Sequence, residues 1–158
     1  MKGIYAILDE SNFNFSSLEK SVKYMIKYNI KIFQIRIKSS FSKKNISIIK
    51  KIKFLCKNHK CLLILNDNVN LANELELDGV HVGSGDADIS SVRSTLGENK
   101  IIGVSCYNDI NLALSSEKLG ASYVSFGSLY KTTTKLNPIN LNISTVKNAS
   151  KILKIPIC

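Results

Sequence analysis

The sequence predicts an α/β fold in which a parallel β-sheet is covered by helices. Two observations support this prediction: short, apolar, β-branched runs recur along the chain, and a stretch with helical spacing follows each run. An eight-stranded barrel and an open doubly wound sheet share this pattern, and the pattern alone does not distinguish them. The 158 residues contain six such βα units and the beginning of a seventh strand.

The expected elements follow one another in regular alternation. The six strands are expected at residues 4–8, 32–37, 62–65, 79–82, 101–105 and 123–126. The helices place apolar residues three or four positions apart, and they are expected at residues 18–26, 46–56, 69–77, 89–96, 110–119 and 143–153. Residues 155–158, Ile-Pro-Ile-Cys, are expected to open a seventh strand.

Capping residues mark several of these helix ends. Ser16 and Glu19 have the S-x-x-E spacing of a capping box ahead of the first helix. Asp109 stands where an N-cap of the fifth helix belongs. Gly97 and Gly120 follow the fourth and fifth helices, where glycine commonly ends a helix.

Composition and charge narrow the classes of partner. The net charge of +10 would attract nucleic acid, anionic lipid or phosphorylated small molecules. The lysines are scattered and are not interleaved with aromatic residues, so no nucleic-acid partner is expected. No apolar run approaches the ~20 residues of a membrane span, and the apolar start is too short for a signal peptide. The cytoplasm is therefore the expected location.

Cysteine and histidine usage gives no sign of a metal site or a disulfide framework. The chain has 4 cysteines without a C-x-x-C pair and only 2 histidines. A zinc site is therefore not expected, and neither is a set of disulfides.

The second predicted strand ends in a basic run, Q-I-R-I-K. Strand alternation places Gln34, Arg36 and Lys38 on one face of the sheet, and functional sites of parallel α/β proteins lie at the carboxyl ends of the strands. Arg and Lys are unusual inside a strand unless an anion meets them, so the run predicts an anion site. The alternative is a solvated strand end in a lysine-rich chain.

Carboxylates follow the next two strands. Asn66 and Asp67 end the third strand, and Asp86 follows the fourth. Two carboxylates at neighbouring strand ends can hold one Mg²⁺, which bridges diphosphate oxygens. The alternative is helix capping by Asp67 and by Asp86 or Asp88, which is the commoner use of such residues taken alone. The basic run at the preceding strand end favours a metal–diphosphate site.

Ser105 ends the fifth strand, where a helix cap is its commonest use. We expect no histidine or acid near enough to activate Ser105 or Cys106 as a nucleophile. His81 lies inside the fourth strand and is expected to be a core or wall residue rather than a catalytic one.

The loop after the sixth strand carries several hydroxyl groups and a lysine. These suit a phosphate-binding surface on the same rim as the other groups, although a polar loop without function is the alternative. The residues concerned are Thr132, Thr133, Thr134 and Lys135.

These motifs, in this order, resemble the thiamine phosphate synthase family. The resemblance is carried by Q-I-R-I-K, L-N-D, D-G-V-H-V-G followed by Asp86, G-V-S, and G-A-S-Y-V-S-F-G-S-L-Y-K-T-T-T-K. It implies an α/β fold of the TIM (βα)8 barrel type, incomplete here, with residues 1–158 as one domain that lacks the last part of the barrel. It also implies a transferase that joins a hydroxymethylpyrimidine diphosphate to a thiazole phosphate.

The resemblance implies a role for each candidate residue. The diphosphate would contact Gln34, Arg36, Lys38, Asn66 and Lys135. The cofactor Mg²⁺ would be bound by Asp67 and Asp86. The pyrimidine would contact Ser105, and the phosphate of the thiazole would contact Thr132, Thr133 and Thr134. The family's reaction is dissociative, which accounts for the lack of a candidate general acid or base: positioning and electrostatics suffice.

Two departures from the family pattern bear on these roles. Ser84 and Gly85 are small where relatives often have an amide and an acid, which would weaken metal or substrate binding. Tyr107 stands where many relatives have histidine. The related thiazole tautomerases use a histidine there and tend to lose the diphosphate and metal groups, so the synthase is favoured. A remnant that only binds a phosphorylated ligand is the other alternative, and no G-x-G-x-x-G or Walker sequence supports a nucleotide-binding sheet.

The last part of the family's barrel is not represented among the 158 residues. A Gly-rich loop after the seventh strand would complete the thiazole phosphate site. We therefore expect an incomplete barrel with the diphosphate half of the site formed. Its open strand edges would invite self-association, and its turnover would be low.

Overall fold

A computed structural model of the chain describes residues 2–83, 88–130 and 141–158. The strands are β1 Tyr5–Asp9, β2 Ile32–Arg36, β3 Leu62–Asn66, β4 Gly79–Gly83, β5 Ile101–Tyr107 and β6 Tyr123–Phe126. The α-helices are α1 Leu18–Lys27, α2 Lys43–Asn58, α3 Val69–Glu74, α4 Ile89–Leu96, α5 Ile110–Lys118 and α6 Ile143–Ile152, and a 3₁₀ turn, Phe15–Ser17, precedes α1. In these ranges no helix is long and apolar enough to cross a membrane.

The order of the strands decides between the two architectures that the pattern left open. The strands follow the chain, β1-β2-β3-β4-β5-β6. A doubly wound sheet reverses its strand order at a switch point, whereas a TIM barrel adds each strand next to the preceding one. The fold is therefore of the incomplete TIM-barrel type, with six βα units.

The chain divides into two compact units, Met1–Val80 and His81–Cys158. In the first unit, β1, β2 and β3 are parallel, with Ile7 opposite Gln34, Asp9 opposite Arg36, and Gln34 opposite Ile64. Leu8, Phe33 and Leu63 are among its fully buried side chains. These strands read as nearly continuous apolar runs, as expected when helices cover a parallel sheet.

In the second unit, β5 and β6 are parallel, with Gly103 opposite Tyr123 and Ser105 opposite Ser125. The expected seventh strand is confirmed as a short pairing beside β6. Val124 forms a parallel bridge with Ile157, and the amide of Cys158 donates to the carbonyl of Val124 at 2.8 Å.

The capping box expected ahead of α1 is wrong. The chain enters α1 through the 3₁₀ turn, whose N-cap is Asn14, and the Asn14 side chain accepts from the amide of Ser16. Ser17, directly before α1, makes no side-chain cap hydrogen bond. Glu19 instead forms an ion pair with Lys23, one turn further along α1, at 3.0 Å. The caps expected at Asp109 and Gly97 are confirmed.

Helix α3 ends three residues earlier than its apolar spacing indicates. Glu76 has a φ of +47°, in the left-handed region, and the amide of Leu77 donates to the carbonyl of Ala72 at 2.9 Å. This is the hydrogen-bond pattern of a Schellman ending. Leu77 is buried by the turn after the helix, which explains why it fits the helical period without being helical.

The side chain of Tyr123 occupies the space above Gly103. A Cβ at Gly103 would lie 2.0 Å from Cζ of Tyr123 and 2.2 Å from its hydroxyl oxygen. Tyr123 is 1% exposed, so its ring has little room to move. Glycine is therefore required at this position by packing rather than by backbone conformation.

Replacing Gly103 by alanine should lower the free energy of unfolding by about 1–3 kcal/mol, because the new methyl group overpacks the site. Urea denaturation measures the loss. Tyr123→Leu clears the space, so the loss from Gly103→Ala should be smaller in the Tyr123→Leu background. Equal losses in both backgrounds would show that the ring of Tyr123 does not set the requirement.

Candidate functional site

A chain of side-chain hydrogen bonds joins the first three strands on one face of the sheet. The hydroxyl of Tyr5 donates to Oε1 of Gln34 at 2.8 Å, and Nε2 of Gln34 donates to Oδ1 of Asn66 at 2.6 Å. Gln34 is 3% exposed and Asn66 is 8% exposed. Buried amides are stable when both ends are paired, so Gln34 is held in one orientation. The structure thus brings together two of the predicted diphosphate-binding residues.

Arg36, at the end of β2, forms an ion pair with Asp9, at the end of β1. The pairing follows from the parallel register, which places the two residues opposite each other. Burial raises the pKa of the Asp9 carboxyl, but hydrogen bonds from Ser11 and the Arg36 guanidinium outweigh burial and lower the pKa of Asp9 below its ordinary value. Asp9 is therefore ionised at neutral pH, and it fixes the position of Arg36.

The segment after β2 is held by Glu10. Its carboxylate accepts from the backbone amides of Lys38 and Ser39, the latter at 2.8 Å, and from the hydroxyl of Ser39 at 2.6 Å. The hydroxyl of Ser39 is the main cause that lowers the pKa of Glu10. The strand ends at Arg36, one residue earlier than expected, and Lys38 is exposed beyond that end. The strand alternation that was expected to place Lys38 on one face with Gln34 and Arg36 therefore does not reach it.

Asp67 follows β3 with a φ of +61° and an exposed side chain. The alternative that Asp67 caps α3 is wrong, because the side chain of Asn68 accepts from the amide of Leu71 and is the cap. In the same way Asp88 caps α4 by accepting from the amide of Ser91. Among the residues that the structure describes, no group of three or more His, Cys, Asp or Glu side chains is placed to hold a metal ion.

Ser105 on β5 lies in a second polar chain, in the unit His81–Cys158. Its Oγ is 2.9 Å from Nε2 of His81 and 3.4 Å from Oγ of Ser125, and Nδ1 of His81 is 2.8 Å from the hydroxyl oxygen of Tyr123. The expectation that no histidine lies near Ser105 is therefore wrong. The two residues are far apart in the sequence, and parallel pairing of the strands brings them together.

Cys106, which was not expected to be a nucleophile, is fully buried, and burial raises the pKa of its thiol to about 11. A thiol in this state is almost entirely protonated at neutral pH and is a poor nucleophile. The raised pKa of Cys106 agrees with the expectation that this thiol is not activated.

Several predicted site residues lie outside the described residues, so their placement stays a prediction. They are Asp86, Thr132, Thr133, Thr134 and Lys135, together with Ser84 and Gly85.

Sequence reasoning missed the partners that hold the predicted residues in place. These are Tyr5, Asp9, Glu10, His81 and Tyr123. One signal was available: an acidic pair ends an otherwise apolar first strand, at the same edge as the basic run of the second. Tyr5 and Tyr123 gave no such signal, because a tyrosine in a strand is ordinarily a packing residue.

Comparison with known proteins shows the family of the chain. The family model for thiamine monophosphate synthase matches residues 4–158. The chain belongs to the thiamine monophosphate synthase family.

Individual members of the thiamine monophosphate synthase family match over most of the chain. The thiamine-phosphate synthase of Nitrosomonas eutropha is 36% identical over 157 residues, which cover 99% of this chain and 74% of that protein. The thiamine-phosphate synthase of Pelagibacter ubique is 41% identical over 128 residues, which cover 81% of this chain and 61% of that protein. The solved thiamine phosphate pyrophosphorylase of Pyrococcus furiosus superposes with a TM-score of 0.80 at 26% identity, and the match covers 97% of this chain and 71% of that one.

Replacing Asp9 by asparagine should lower the free energy of unfolding at neutral pH by about 1.5–3 kcal/mol, because Arg36 loses a charged, partly buried partner. Urea denaturation measures the loss. Glu19→Gln is the matched control, since it removes an exposed carboxylate from an ion pair and should have little effect.

The loss of unfolding free energy in Asp9→Asn should depend on pH. A carboxyl whose pKa is lowered on folding stabilises the protein above its unfolded pKa, and that stabilisation is lost as the pH falls through the folded value. The difference between the wild type and Asp9→Asn should therefore shrink as the pH falls below 3.8, the ordinary value for Asp9. A difference that is absent at neutral pH, or that grows in acid, would contradict the role of Asp9.

Proposed function

We propose that the protein is a transferase that makes thiamine phosphate. It joins 4-amino-2-methyl-5-(diphosphooxymethyl)pyrimidine to 4-methyl-5-(phosphooxyethyl)thiazole. The bond between the methylene carbon and the diphosphate oxygen breaks, and diphosphate leaves with the electron pair. The thiazole nitrogen then bonds to the same carbon. The observation that carries the proposal is the polar cluster at the ends of β1, β2 and β3, in a chain of this family.

In this proposal the first polar chain receives the diphosphate. The guanidinium of Arg36 is fixed by Asp9 before the substrate arrives, and Glu10 fixes the backbone from which the Lys38 side chain extends. Because Oδ1 of Asn66 accepts from Gln34, the Asn66 amide nitrogen points away from Gln34 and can donate to a phosphate oxygen. Fixed donors stabilise a leaving diphosphate without reorganising during the reaction.

We propose Mg²⁺ as the cofactor, with Asp67 as one ligand and Asp86 as the second ligand expected from the sequence. Asp67 fits this role because it carries an exposed carboxylate and because Asn68 already caps the helix that follows. A hard divalent cation prefers carboxylate oxygens, and when bound it neutralises charge on the diphosphate.

The remaining roles extend the same proposal. Ser105 contacts the pyrimidine, Lys135 assists at the diphosphate, and Thr132, Thr133 and Thr134 bind the phosphate of the thiazole. Residues 1–158 form one domain of the TIM-barrel type. The reaction takes place in the cytoplasm, which is supported by the four cysteines, all of which are free thiols. The partners are small phosphorylated substrates, without nucleic acid or membrane.

Lys38→Ala should weaken binding of the pyrimidine diphosphate about tenfold in the presence of Mg²⁺, because one charged hydrogen bond to phosphate is lost. Isothermal titration calorimetry on the purified chain measures the affinity. Lys50→Ala removes an exposed lysine from the middle of α2 and is the control for net charge. Equal affinities of the two variants for the pyrimidine diphosphate would show that Lys38 acts only through the net positive charge of the protein.

Asp67→Asn should raise the Mg²⁺ concentration needed for half-maximal binding of the pyrimidine diphosphate. Asparagine tolerates the left-handed backbone of this position, so the fold is retained while one anionic ligand is lost. Asp88→Asn makes the same chemical change at the cap of α4, where asparagine also caps well, and should leave the Mg²⁺ requirement unchanged. The same Mg²⁺ requirement in Asp67→Asn and the wild type would remove Asp67 from the metal site.

A further inference from the structure

The polar chain around Ser105 is built as a relay of three side chains. Tyr123, His81 and Ser105 are joined by contacts of 2.8 Å and 2.9 Å, and the first two are almost fully buried. Gly103 leaves the room that the ring of Tyr123 needs to reach His81. A buried chain of this kind is stable only when each donor meets an acceptor, so its hydrogen bonds must run in one direction.

The phenol of Tyr123 sets that direction. A phenol O–H, with a pKa of about 10, is a stronger donor than the N–H of a neutral imidazole. The Tyr123 hydroxyl therefore donates to Nδ1 of His81, which places the histidine proton on Nε2. Nε2 then donates to Oγ of Ser105, so the Ser105 oxygen is already an acceptor on this side.

The consequence for Ser105 is that its own proton points elsewhere. The hydroxyl oxygen of Ser125 lies 3.4 Å from the hydroxyl oxygen of Ser105, which is long for a hydrogen bond between two hydroxyls. Ser125 is therefore a weak acceptor for the Ser105 proton. Had the relay run in the opposite direction, Ser105 would donate to His81 and offer only lone pairs to a ligand. The direction of the relay thus decides whether Ser105 recognises an acceptor or a donor.

We propose that His81 is a positioning residue that makes Ser105 a hydrogen-bond donor to a ring nitrogen of the pyrimidine substrate. The inference rests on the proposed function, because it takes the pyrimidine as the group that Ser105 contacts. It adds a specificity rule: a ring with an acceptor nitrogen at this point is selected over one that presents C–H or N–H.

The tautomer of His81 tests the relay without any ligand. Nitrogen NMR of the chain with isotope-labelled histidine should show the proton of His81 on Nε2, and His59→Gln leaves His81 as the remaining histidine for assignment. Tyr123→Phe removes the donor to Nδ1 and should allow the other tautomer to appear. A wild-type proton on Nδ1 would overturn the inference.

Two substitutions of His81 separate positioning from packing. In His81→Gln the amide nitrogen lies near the position of Nε2, so it can still donate to Ser105. In His81→Asn the shorter side chain places the amide near the position of Nδ1, and it cannot reach Ser105. His81→Gln should bind the pyrimidine diphosphate nearly as well as the wild type. His81→Asn should lose about two- to tenfold in affinity, as Ser105→Ala does. If the fold is retained, equal affinities of the two His81 variants would contradict the relay.

Deaza analogues of the pyrimidine diphosphate, each with one ring nitrogen replaced by C–H, identify the acceptor. One analogue should bind the wild type less tightly than the substrate does, and Ser105→Ala should bind that analogue and the substrate equally. If the wild type binds the substrate and does not discriminate among the analogues, the inference fails and the proposed function stands. If the wild type does not bind the pyrimidine diphosphate at all, the proposed function fails, and the assignment of the pyrimidine to Ser105 fails with it.

Discussion

The arrangement of the candidate site depends on one constraint: polar side chains on the buried faces of the strands must find partners there. Gln34 and Asn66 lie among apolar neighbours, and leaving either amide unpaired would cost about 1–3 kcal/mol. Parallel pairing in chain order supplies the partners, because it brings side chains of neighbouring strands within reach on one face. Gln34 lies opposite Ile7 and Ile64, so Tyr5 and Asn66 reach it diagonally, from two residues along their strands. The hydrogen-bonded pairs that stabilise the strands are therefore the same pairs that orient the site.

Asp9, at the end of β1, and Glu10, which follows it, act in different ways on Arg36, at the end of β2, and on Lys38, which follows that strand. Asp9 pairs with the guanidinium of Arg36, so part of that positive charge is neutralised before any anion binds. Glu10 instead binds the backbone at Lys38 and Ser39, and it holds the segment without bonding to the ammonium group of Lys38. Lys38 therefore contributes the positive charge of a side chain whose backbone is fixed. Arg36 contributes a guanidinium group whose hydrogen-bond donors are fixed in position.

The sequence predicted the βα alternation well because apolar period and β-branching are local signals, and α4 and β6 have the predicted bounds. It failed where tertiary context decides. The Schellman turn after α3 places Leu77 in the core outside the helix, and the 3₁₀ turn moves the first cap from Ser16 to Asn14. Site residues at strand ends were predictable from the fold class, and of their partners only Asp9 and Glu10 left a signal in the sequence. The contact between His81 and Ser105 exists only once the strands pair.

The proximity of His81 to Ser105 does not make Ser105 a nucleophile. In a Ser–His pair that attacks substrate, the imidazole must accept the serine proton on a free nitrogen lone pair. Here the lone pair of the favoured tautomer is on Nδ1 and accepts from Tyr123, while Nε2 already donates to Ser105. To take the serine proton, His81 would have to shift tautomer and displace the Tyr123 bond inside the core. The relay thus keeps Ser105 protonated, which suits recognition of a heterocycle. A reaction in which the leaving group departs first needs such recognition more than it needs a base.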